Sequence, residues 1–381
     1  MMKNLKIILA HDWLTGMRGG ERVLETLCRE FPAAPIFTLI HNPTAISEII
    51  RRHPITSSGL QRIPGIARHY RYFLPLFPAA MENLRLPQAD VLISISHCVA
   101  KGTKPPPGAR HLCYCLTPMR YAWLFYEEYF GTNPLKKALL KPILARLRAW
   151  DRQVNERVDR FVTLSQHVRK RIRDYYGRDA DVIYPPVNTT YWTPDSGQPA
   201  QMRPGSELGA YDLIVSALVP YKRIDLAVKA YTQTGFPLTL VGAGPELRRL
   251  RALAGPNIQF TGWLPDERIR DLYRHCRMVI FPGEEDFGIV PVEAQACGRP
   301  VVAYGRGGAL ETIRDGITGL FFPEQTEDAL LNAIRQCAAR GWDPALIRTH
   351  AEQFSAARFQ RELTGSIETM LSSRIANPAH Q

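Results

Sequence analysis

The sequence lacks the features of a membrane-spanning, disulfide-bonded or zinc-binding protein. No apolar run approaches the roughly 20 residues that a membrane span needs, and the apolar core of the N-terminus, Ile7 to Ala10, is too short for a signal peptide. The seven cysteines include no C-x-x-C pair, so neither a disulfide framework nor a zinc site is indicated. We therefore expect a globular protein of a reducing cytoplasm, with 381 residues that suffice for two domains.

Acidic residues are scarce in the first half only. Residues 1–187 carry 28 Lys and Arg against 15 Asp and Glu, whereas residues 188–381 carry 20 against 21. This asymmetry indicates an anionic partner for the first half, such as an acidic ligand, an anionic membrane or a nucleic acid. No zinc-finger spacing or RNP-like aromatic signature accompanies the basic residues, so we expect no nucleic acid partner.

What is present, above all, is a strand-loop-helix unit that occurs twice in succession near the C-terminal end. The apolar run Met278 to Phe281 is followed by an acidic loop and by a helical pattern from Ile289 to Cys297. A second apolar run, Pro300 to Tyr304, leads into Gly305-Arg306-Gly307-Gly308 and another helical stretch. In an open parallel sheet, ligands bind beyond the carboxyl ends of the strands, where helix N-termini offer N–H groups to an anion. Both loops are expected at that edge.

The residues of this region resemble a known family. They read E-x-F-G-I-x-x-x-E-A-x-A-x-G-x-P-V-V-A, then a Gly-rich turn and E-x-I-x-D-G-x-x-G-L-F. This resembles the retaining glycosyltransferases of family 4. The resemblance implies an α/β protein of the GT-B fold, with two Rossmann-like domains whose parallel sheets face each other across a cleft. Residues 1–187 would form the acceptor-binding domain, onto which the C-terminal helix 356–381 crosses back, and residues 188–355 the sugar-nucleotide-binding domain.

The resemblance also implies roles for the residues of the motif. Glu285 would act near the reaction centre by contacting the hydroxyls of the donor sugar. Phe287 and Gly288 would offer backbone N–H groups to sugar or phosphate, next to Ile289 at the start of the helix. Glu293 lies eight positions after Glu285, about two helical turns on, and would bind the ribose.

A second cationic motif is expected to bind the diphosphate. Lys222 and Arg223 precede a helix, and two cations beside free N–H groups would neutralise a leaving diphosphate and lower the barrier to bond breaking. The stretch resembles the family's R-x-x-P-x-K motif, except that Ala217 stands where many members have the first Arg. These two cations must then carry the phosphate charge, or another cation substitutes. The segment Asn257 to Leu264, with Gly262, resembles the one that holds the nucleotide base.

Residues of the first half are expected to complete the site. S-x-S-H-x-x-A-K-G places His97 at the end of a buried strand, and the resemblance implies that His97 flanks the transferred sugar. Gly19 and Gly20 would let the backbone approach the donor diphosphate, with a plain tight turn as the alternative. Asp12, in the same loop, would contact the acceptor. T-P-x-R-x-x-W resembles a segment found in part of the family, which implies that Arg120 meets the charge of the acceptor or of a phosphate.

Two further patterns are weak. Gly242-Ala243-Gly244 is a G-x-G without the third glycine of a dinucleotide fingerprint. Asp179-Ala180-Asp181 is a D-x-D, but it lies at the amino end of a predicted strand, away from any ligand crevice, so we discount it as a metal site. By the resemblance, the enzyme needs no metal and no cofactor besides its sugar-nucleotide substrate.

The motifs together suggest a substrate. H-D-W-L, T-P-x-R-x-x-W and L-V-P-Y-K-R-I-D are similar to bacterial GDP-mannose-dependent mannosyltransferases of polysaccharide assembly. The implied reaction moves mannose from GDP-mannose to a lipid-linked saccharide acceptor with retention of configuration. A UDP-sugar-dependent transferase, a non-catalytic module that binds sugar nucleotides and a sugar-nucleotide epimerase stay as alternatives.

The basic first half also suggests a membrane surface. Residues 51–86 mix Arg and His with apolar and aromatic side chains such as Tyr72, Phe73 and Leu76. This mixture suits a membrane interface, or else a helix and loop that pack their apolar side on the first domain. A second basic stretch, Lys136 to Arg173, has a helical pattern. We expect a cytoplasmic protein that binds peripherally to the inner face of the plasma membrane.

Overall fold

The protein consists of two parallel-sheet domains. The computed structural model describes residues 5–123, 134–195 and 210–372. One compact unit comprises the chain up to Pro186 together with the residues from Ala357 onward, and the other comprises Val187–Ala356. We call them the first and the second domain. The predicted α/β fold class, with two Rossmann-like domains built on parallel sheets, is confirmed.

The first domain is built on seven parallel strands in the order β3-β2-β1-β4-β5-β6-β7. These strands are β1 Ile7–His11, β2 Ile36–Thr38, β3 Ile55–Ser57, β4 Val91–Ser96, β5 Arg110–Cys115, β6 Arg160–Thr163 and β7 Asp181–Val182. The described helices of this domain are α1 Gly19–Glu30, α2 Glu48–Arg51, α3 Ile66–His69, α4 Phe77–Glu82, α5 Arg120–Trp123, α6 Pro134–Gln153 and α7 Gln166–Tyr176.

The second domain repeats this architecture with six parallel strands in the order β10-β9-β8-β11-β12-β13. The strands are β8 Asp212–Val215, β9 Leu238–Val241, β10 Ile258–Gly262, β11 Val279–Phe281, β12 Val301–Tyr304 and β13 Gly319–Phe322. The helices are α8 Ile224–Thr234, α9 Leu247–Leu253, α10 Asp266–His275, α11 Ile289–Ala296, α12 Ala309–Thr312, α13 Glu327–Ala339 and α14 Pro344–Glu352. The last helix, α15 Ala356–Ser372, lies almost wholly in the first domain.

The strand order places the predicted site residues at one edge of each sheet. Strands β1 and β4 are buried along their whole length, because helices cover both faces of a parallel sheet. The strand order reverses between β1 and β4 in the first sheet and between β8 and β11 in the second. Crevices for ligands open at such switch points. Asp12 and His97 follow β1 and β4, and Lys222 and Glu285 follow β8 and β11.

The segment 51–86 packs mostly into its own domain. The side chains of Tyr70, Leu74 and Phe77 are buried in the hydrophobic core of the first domain, which supports the packing interpretation for most of the segment. Among the large apolar side chains of the segment, Tyr72 and Leu76 are the exceptions, with 83% and 52% of their surface exposed. Among the described residues, no helix has both the length and the apolar character to cross a membrane.

The basic stretch from Lys136 to Arg173 lies mostly in two helices, α6 and α7, with strand β6 between them. Helix α14 was not predicted, although Asp343 caps it by accepting hydrogen bonds from the N–H groups of Ala345 (2.8 Å) and Leu346 (3.3 Å). The Asp-Pro pair at 343–344 is the signal that could have marked its start.

A buried histidine of the first sheet generates a prediction about acid stability. His111 of β5 is fully buried, its Nε2 lies 2.8 Å from Ser94 Oγ, and its Nδ1 lies 3.0 Å from the carbonyl of Arg157. Burial lowers the pKa of His111 to about 4. Below pH 6.5, the ordinary pKa of histidine, His111 therefore binds a proton in the unfolded chain, whereas in the folded protein it stays neutral down to about pH 4. We expect His111 to cost the first domain about 3 kcal/mol of unfolding free energy between pH 6.5 and pH 4.

Urea denaturation at several pH values in this window measures the effect. The variant His111→Gln removes the titrating group, so its unfolding free energy should fall less steeply with decreasing pH than that of the wild type. An equal slope in the two proteins would contradict the assignment.

Candidate functional site

Three loops converge at the carboxyl edge of the second sheet because glycines permit close backbone contact. A Cβ atom added at Gly283, after β11, would lie 2.8 Å from Lys222 Cα. A Cβ at Gly307, after β12, would lie 2.5 Å from the carbonyl oxygen of Glu285, and one at Gly308 would lie 2.3 Å from Phe287 Cα. The N–H of Gly308 donates to the carbonyl of Glu285 at 2.8 Å. These contacts hold the acidic loop against its neighbours.

The first pair of predicted site residues meets in this arrangement. Lys222 Nζ forms an ion pair with Glu285 Oε1, and the two side chains are 14% and 22% exposed. Lys222 is the last residue of a short 3₁₀ turn, Pro220–Lys222, and its ammonium group also lies 5.5 Å from the centre of the Tyr221 ring. The pair is accessible enough for an arriving anion to share the lysine. A cation and a carboxylate therefore stand together where the sequence motif predicted a phosphate contact and a sugar contact.

Arg223, the other predicted cation, contacts Gln325 and Asp225. Arg223 is the N-cap of α8 and has a left-handed backbone conformation with φ of 51°, the one positive φ among the described non-glycine residues. Its guanidinium group donates to Gln325 Oε1 at 3.0 Å and lies 3.5 Å from Asp225 Oδ1. Gln325 in turn donates to the carbonyl of Pro282 at 2.9 Å. Through Gln325, the guanidinium group of Arg223 therefore contacts the loop after β11. Its ion-pair partner is Asp225 and not Glu285.

Helix α11 places the remaining motif residues. Gly288 is its N-cap with φ of 97°, a conformation that favours glycine, and Ile289 is its first residue. The ring of Phe287 is buried against Phe354 at 5.6 Å between ring centres, so Phe287 can offer its backbone but not its side chain. Glu293 is buried in the second turn and accepts a hydrogen bond from the hydroxyl of Tyr273 at 3.3 Å. The helix N-terminus supplies N–H groups and a positive dipole end for an anion.

Glycines also shape the loops after β9 and β10. Gly262 ends β10 with φ of 75°, and its carbonyl accepts from the N–H of Gly242 at 2.8 Å. Trp263, next to it, is 76% exposed. A Cβ at Gly242 would lie 1.8 Å from the carbonyl oxygen of Ser216, and one at Gly244 would lie 2.3 Å from that of Leu218. The G-x-G pattern is therefore a packing device between the loops after β8 and β9.

In the first domain, Asp12 holds the turn that carries His97. Its carboxylate is buried and accepts hydrogen bonds from the backbone N–H groups of four successive residues, His97 (2.7 Å), Cys98 (3.0 Å), Val99 (2.6 Å) and Ala100 (2.7 Å). Burial raises the pKa of Asp12, but His97 and the hydrogen bonds outweigh burial and lower that pKa to about 2. The acceptor-binding role expected of Asp12 is replaced by a positioning role, because no part of the carboxylate is exposed.

His97 is held in one orientation. Its Nδ1 lies 2.9 Å from Asp12 Oδ2, and its ring meets the ring of Trp13 edge-on at 4.5 Å between centres. The side chain is 24% exposed. Since the carboxylate binds Nδ1, Nε2 is the nitrogen left to accept from or donate to a ligand. This is the arrangement of a polar group that orients or polarises a substrate hydroxyl.

The remaining predicted site residues of the first domain, Gly19, Gly20 and Arg120, each begin a helix or lie in its first turn. Gly19 and Gly20 are the first residues of α1. A Cβ at Gly20 would lie 2.8 Å from Leu116 Cδ1 and 3.2 Å from His11 Nε2, so Gly20 serves close packing of the helix on the sheet. Arg120 is the first residue of helix α5 and is half-buried.

Both aspartates of the D-x-D pattern, Asp179 and Asp181, form ion pairs with arginines. Asp179 accepts two hydrogen bonds from Arg169 at 2.9 Å each and two from Arg173 at 2.9 and 3.1 Å. Asp181 accepts one from Arg160 at 2.8 Å. Within residues 5–123, 134–195 and 210–372, no group of three or more His, Cys, Asp or Glu side chains is arranged to hold a metal ion.

Comparison with known proteins agrees with this architecture. The sequence matches the family described as Glycosyltransferase Family 4 over residues 17–191 and the one described as Glycosyl transferases group 1 over residues 209–347. The crystal structure of Anabaena HepE in complex with UDP and glucose is similar with a TM-score of 0.68 and 17% identity, covering 96% of this chain and all of that one. Two Rossmann-like domains of this kind define the GT-B fold. The chain belongs to glycosyltransferase family 4.

Two curated relatives are similar over part of their length. D-inositol 3-phosphate glycosyltransferase of Acidothermus cellulolyticus is 33% identical over 224 residues, which are 51% of this chain and 50% of the relative. The GDP-mannose-dependent alpha-(1-6)-phosphatidylinositol monomannoside mannosyltransferase of Mycolicibacterium smegmatis is 31% identical over 50% of this chain and 57% of its own length. The chain spans only about half the length of these relatives.

The glycine contacts at the sheet edge generate a prediction. Gly308→Ala would force a methyl group into the backbone of Phe287, so we expect a loss of about 1–3 kcal/mol of stability and a displaced acidic loop. Gly305→Ala is the matched control, because its nearest neighbour outside the chain-adjacent residues would be Phe321 Cβ at an ordinary 3.4 Å. Thermal unfolding of the two variants measures the difference. Equal melting temperatures would contradict the packing argument.

Proposed function

We propose that the protein is a retaining glycosyltransferase that uses a nucleoside diphosphate sugar. The observation that carries this proposal is the Lys222–Glu285 ion pair at the switch point of the second sheet, beside the N-terminus of α11. Lys222 neutralises the leaving diphosphate, and the helix N-terminus adds N–H donors to the same charge. Glu285 contacts the hydroxyls of the donor sugar, and Glu293 the ribose.

The reaction that fits these groups is a front-face displacement. The bond between the anomeric carbon and the phosphate oxygen breaks, and the acceptor oxygen bonds to that carbon on the same face of the sugar. The acceptor proton passes to the departing phosphate, which serves as the base. His97, oriented by Asp12, contacts the transferred sugar through Nε2. Because the cation that balances the diphosphate is a side chain, we propose that the reaction requires no metal ion.

The donor that we propose is GDP-mannose. It is supported by the motifs of the first domain and by the printed name of the Mycolicibacterium relative, which is a GDP-mannose-dependent enzyme. A UDP-sugar is the second candidate, since Anabaena HepE binds UDP and glucose. The acceptor that we propose is a lipid-linked saccharide of cell-surface polysaccharide assembly. The Mycolicibacterium relative's name likewise specifies a lipid acceptor.

Nucleotide binding and turnover test the two roles at the second sheet separately. The expected result is that GDP and GDP-mannose raise the melting temperature, since a ligand at about 100 times its dissociation constant adds about 2.7 kcal/mol. Lys222→Met should weaken this binding roughly 10- to 100-fold, because a charge-assisted contact to the diphosphate is lost. Glu285→Gln should keep nucleotide binding and lower turnover roughly 100-fold or more.

Two controls accompany these variants. Lys229→Met removes an exposed cation of α8 whose partner is Glu327 at 3.8 Å, and it should leave nucleotide binding unchanged. Arg223→Met should have a smaller effect than Lys222→Met, because Gln325 and Asp225 hold that guanidinium group. Full turnover in Glu285→Gln would refute the role of Glu285. Stabilisation by UDP forms alone would replace the donor, product formation without an acceptor would indicate an epimerase, and no stabilisation by any nucleotide would favour a non-catalytic module.

We further propose that the first domain binds peripherally to the anionic inner face of the plasma membrane, where a lipid-linked acceptor resides. The excess of 28 Lys and Arg over 15 Asp and Glu in residues 1–187 supports this. So do the exposed apolar side chains Tyr72, Leu76 and Leu139, the last of which is 74% exposed on the basic helix α6. Apolar groups among basic residues combine insertion between headgroups with attraction to anionic lipid.

Vesicle flotation tests the membrane proposal. The protein should float with phosphatidylglycerol vesicles at low salt and be released by high salt or by replacement with phosphatidylcholine. The double variant Tyr72→Ser/Leu76→Ser should float several-fold less, whereas Leu346→Ser, which changes a comparably exposed residue of the second domain, should not differ from wild type. Absence of the wild-type protein from the phosphatidylglycerol fraction at low salt would contradict the proposal.

A further inference from the structure

Two motifs of the first domain contain residues that the proposed reaction does not use. S-x-S-H-x-x-A-K-G includes Lys101, and T-P-x-R-x-x-W includes Trp123. Lys101 is 1% exposed, so its ammonium group cannot meet a ligand. Trp123 lies three residues after Arg120, on helix α5. A function for these two side chains has to come from what they contact inside the domain.

Both side chains contact the same carboxylate. Asp151, in the last turn of α6, is fully buried, and its Oδ1 lies 2.8 Å from Lys101 Nζ. Lys101 Nζ also donates to the Asp151 carbonyl. Trp123 Nε1 donates to Asp151 Oδ2 at 2.7 Å, and the hydroxyl of Tyr176 donates to the same oxygen at 2.8 Å. One aspartate thus joins the turn after β4, helix α5 and the end of α7.

The network also holds the turn that carries His97, at the residue that follows those bound by Asp12. Asp12 accepts the N–H groups of residues 97–100, and the next residue along the chain is Lys101. The Lys101 N–H donates to Ser96 Oγ at 3.2 Å, and its ammonium group lies 4.5 Å from the centre of the Tyr176 ring. A side chain at Gly102 would overlap the Trp150 ring of α6, with a Cβ only 2.6 Å from Cη2. The turn is therefore held by a carboxylate at each end.

The same network holds the segment that begins at Arg120. The N–H of Met119 donates to the Tyr176 hydroxyl at 3.3 Å, and Arg148 of α6 donates to the carbonyl of Ala122 at 2.7 Å. The guanidinium groups of Arg148 and Arg152 lie 5.6 and 4.8 Å from the Trp123 ring. These contacts hold the described residues of helix α5, Arg120–Trp123, against α6 and α7.

We propose that Asp151 is the positioning residue of the acceptor-side groups, holding His97 through Lys101 and Arg120 through Trp123. This inference rests on the proposed function, in which His97 contacts the transferred sugar and Arg120 the acceptor. A buried ion pair contributes little net stability compared with apolar residues of similar size, so its effect here is on geometry. Displacement of a reacting group by about 1 Å can lower turnover roughly 100-fold.

The test uses variants that remove contacts of Asp151 without leaving a lone buried charge; Tyr176→Phe also removes the acceptor of the Met119 N–H. Tyr176→Phe removes a hydroxyl from Asp151, and Trp123→Phe removes the indole N–H but keeps a ring for the two arginines. Tyr175→Phe is the matched control, because that neighbouring tyrosine stacks on Trp123 at 5.0 Å and has no hydrogen bond to Asp151. Lys101→Met/Asp151→Leu removes both charges of the pair together.

Kinetics separate a positioning role from a purely structural one. With the donor that the wild type turns over, Tyr176→Phe and Trp123→Phe should lower kcat about 10- to 100-fold. They should change the KM for that donor less than about twofold, since Lys222 and the N-terminus of α11, the proposed diphosphate contacts, belong to the second domain. The Tyr175→Phe variant should keep wild-type kcat. Wild-type kcat in Lys101→Met/Asp151→Leu would overturn the proposal.

A second measurement does not depend on activity. In protein labelled at histidine 13Cε1, the His97 resonance is assigned by its loss in His97→Gln. That resonance should shift or broaden in Tyr176→Phe and in Lys101→Met/Asp151→Leu, and stay in place in Tyr175→Phe. An unchanged His97 resonance in the first two variants refutes positioning by Asp151, whether or not the protein transfers a sugar. A wild type with no turnover, together with a shifted resonance, refutes the proposed function alone.

Discussion

Close backbone contact between loops at the carboxyl edge of the second sheet is the constraint on which the candidate site depends. At Gly283, Gly307 and Gly308 a Cβ atom would lie less than about 3 Å from the neighbouring loop, so side chains are excluded there by steric repulsion. The loops after β8, β11 and β12 can then touch. Their contact brings Lys222, from one strand end, against Glu285, from another. A similar exclusion at Gly242 and Gly244 sets the loop after β9.

In the first domain, the partly exposed side chain of His97 lies on a short turn and needs support from buried groups. Two buried carboxylates provide this support. Asp12 satisfies four backbone N–H groups that would otherwise be buried without partners, and it orients His97 in the same step. Asp151 joins side chains from three elements. Support of this kind gives the imidazole of His97 and the residues of helix α5 a defined place in the domain.

Much of the architecture could be read from the sequence, because the signals are local. Apolar runs that end in glycine or charged loops predict parallel strands and place the loop residues at one edge. These patterns predicted the strands, and the resemblance to a family implied the two Rossmann-like domains, but the ion pair of Glu285 with Lys222 was not predicted. The interpretation of Arg223 as a second phosphate ligand depended on its neighbour Lys222, yet a left-handed backbone turns its side chain to Gln325, which lies 102 positions further along the chain.

The sequence by itself determined where strands, helices and charged loops lie along the chain, since hydrophobic periodicity and glycine placement depend on near neighbours. Only the tertiary structure decided which carboxylates stay accessible and which are buried and accept hydrogen bonds from groups of their own domain. Asp12 and Glu285 both follow a buried strand, but Asp12 finds its donors 85 to 88 positions away, at the end of an adjacent strand. No local pattern contains those partners, because parallel strands that lie side by side are joined by long crossovers.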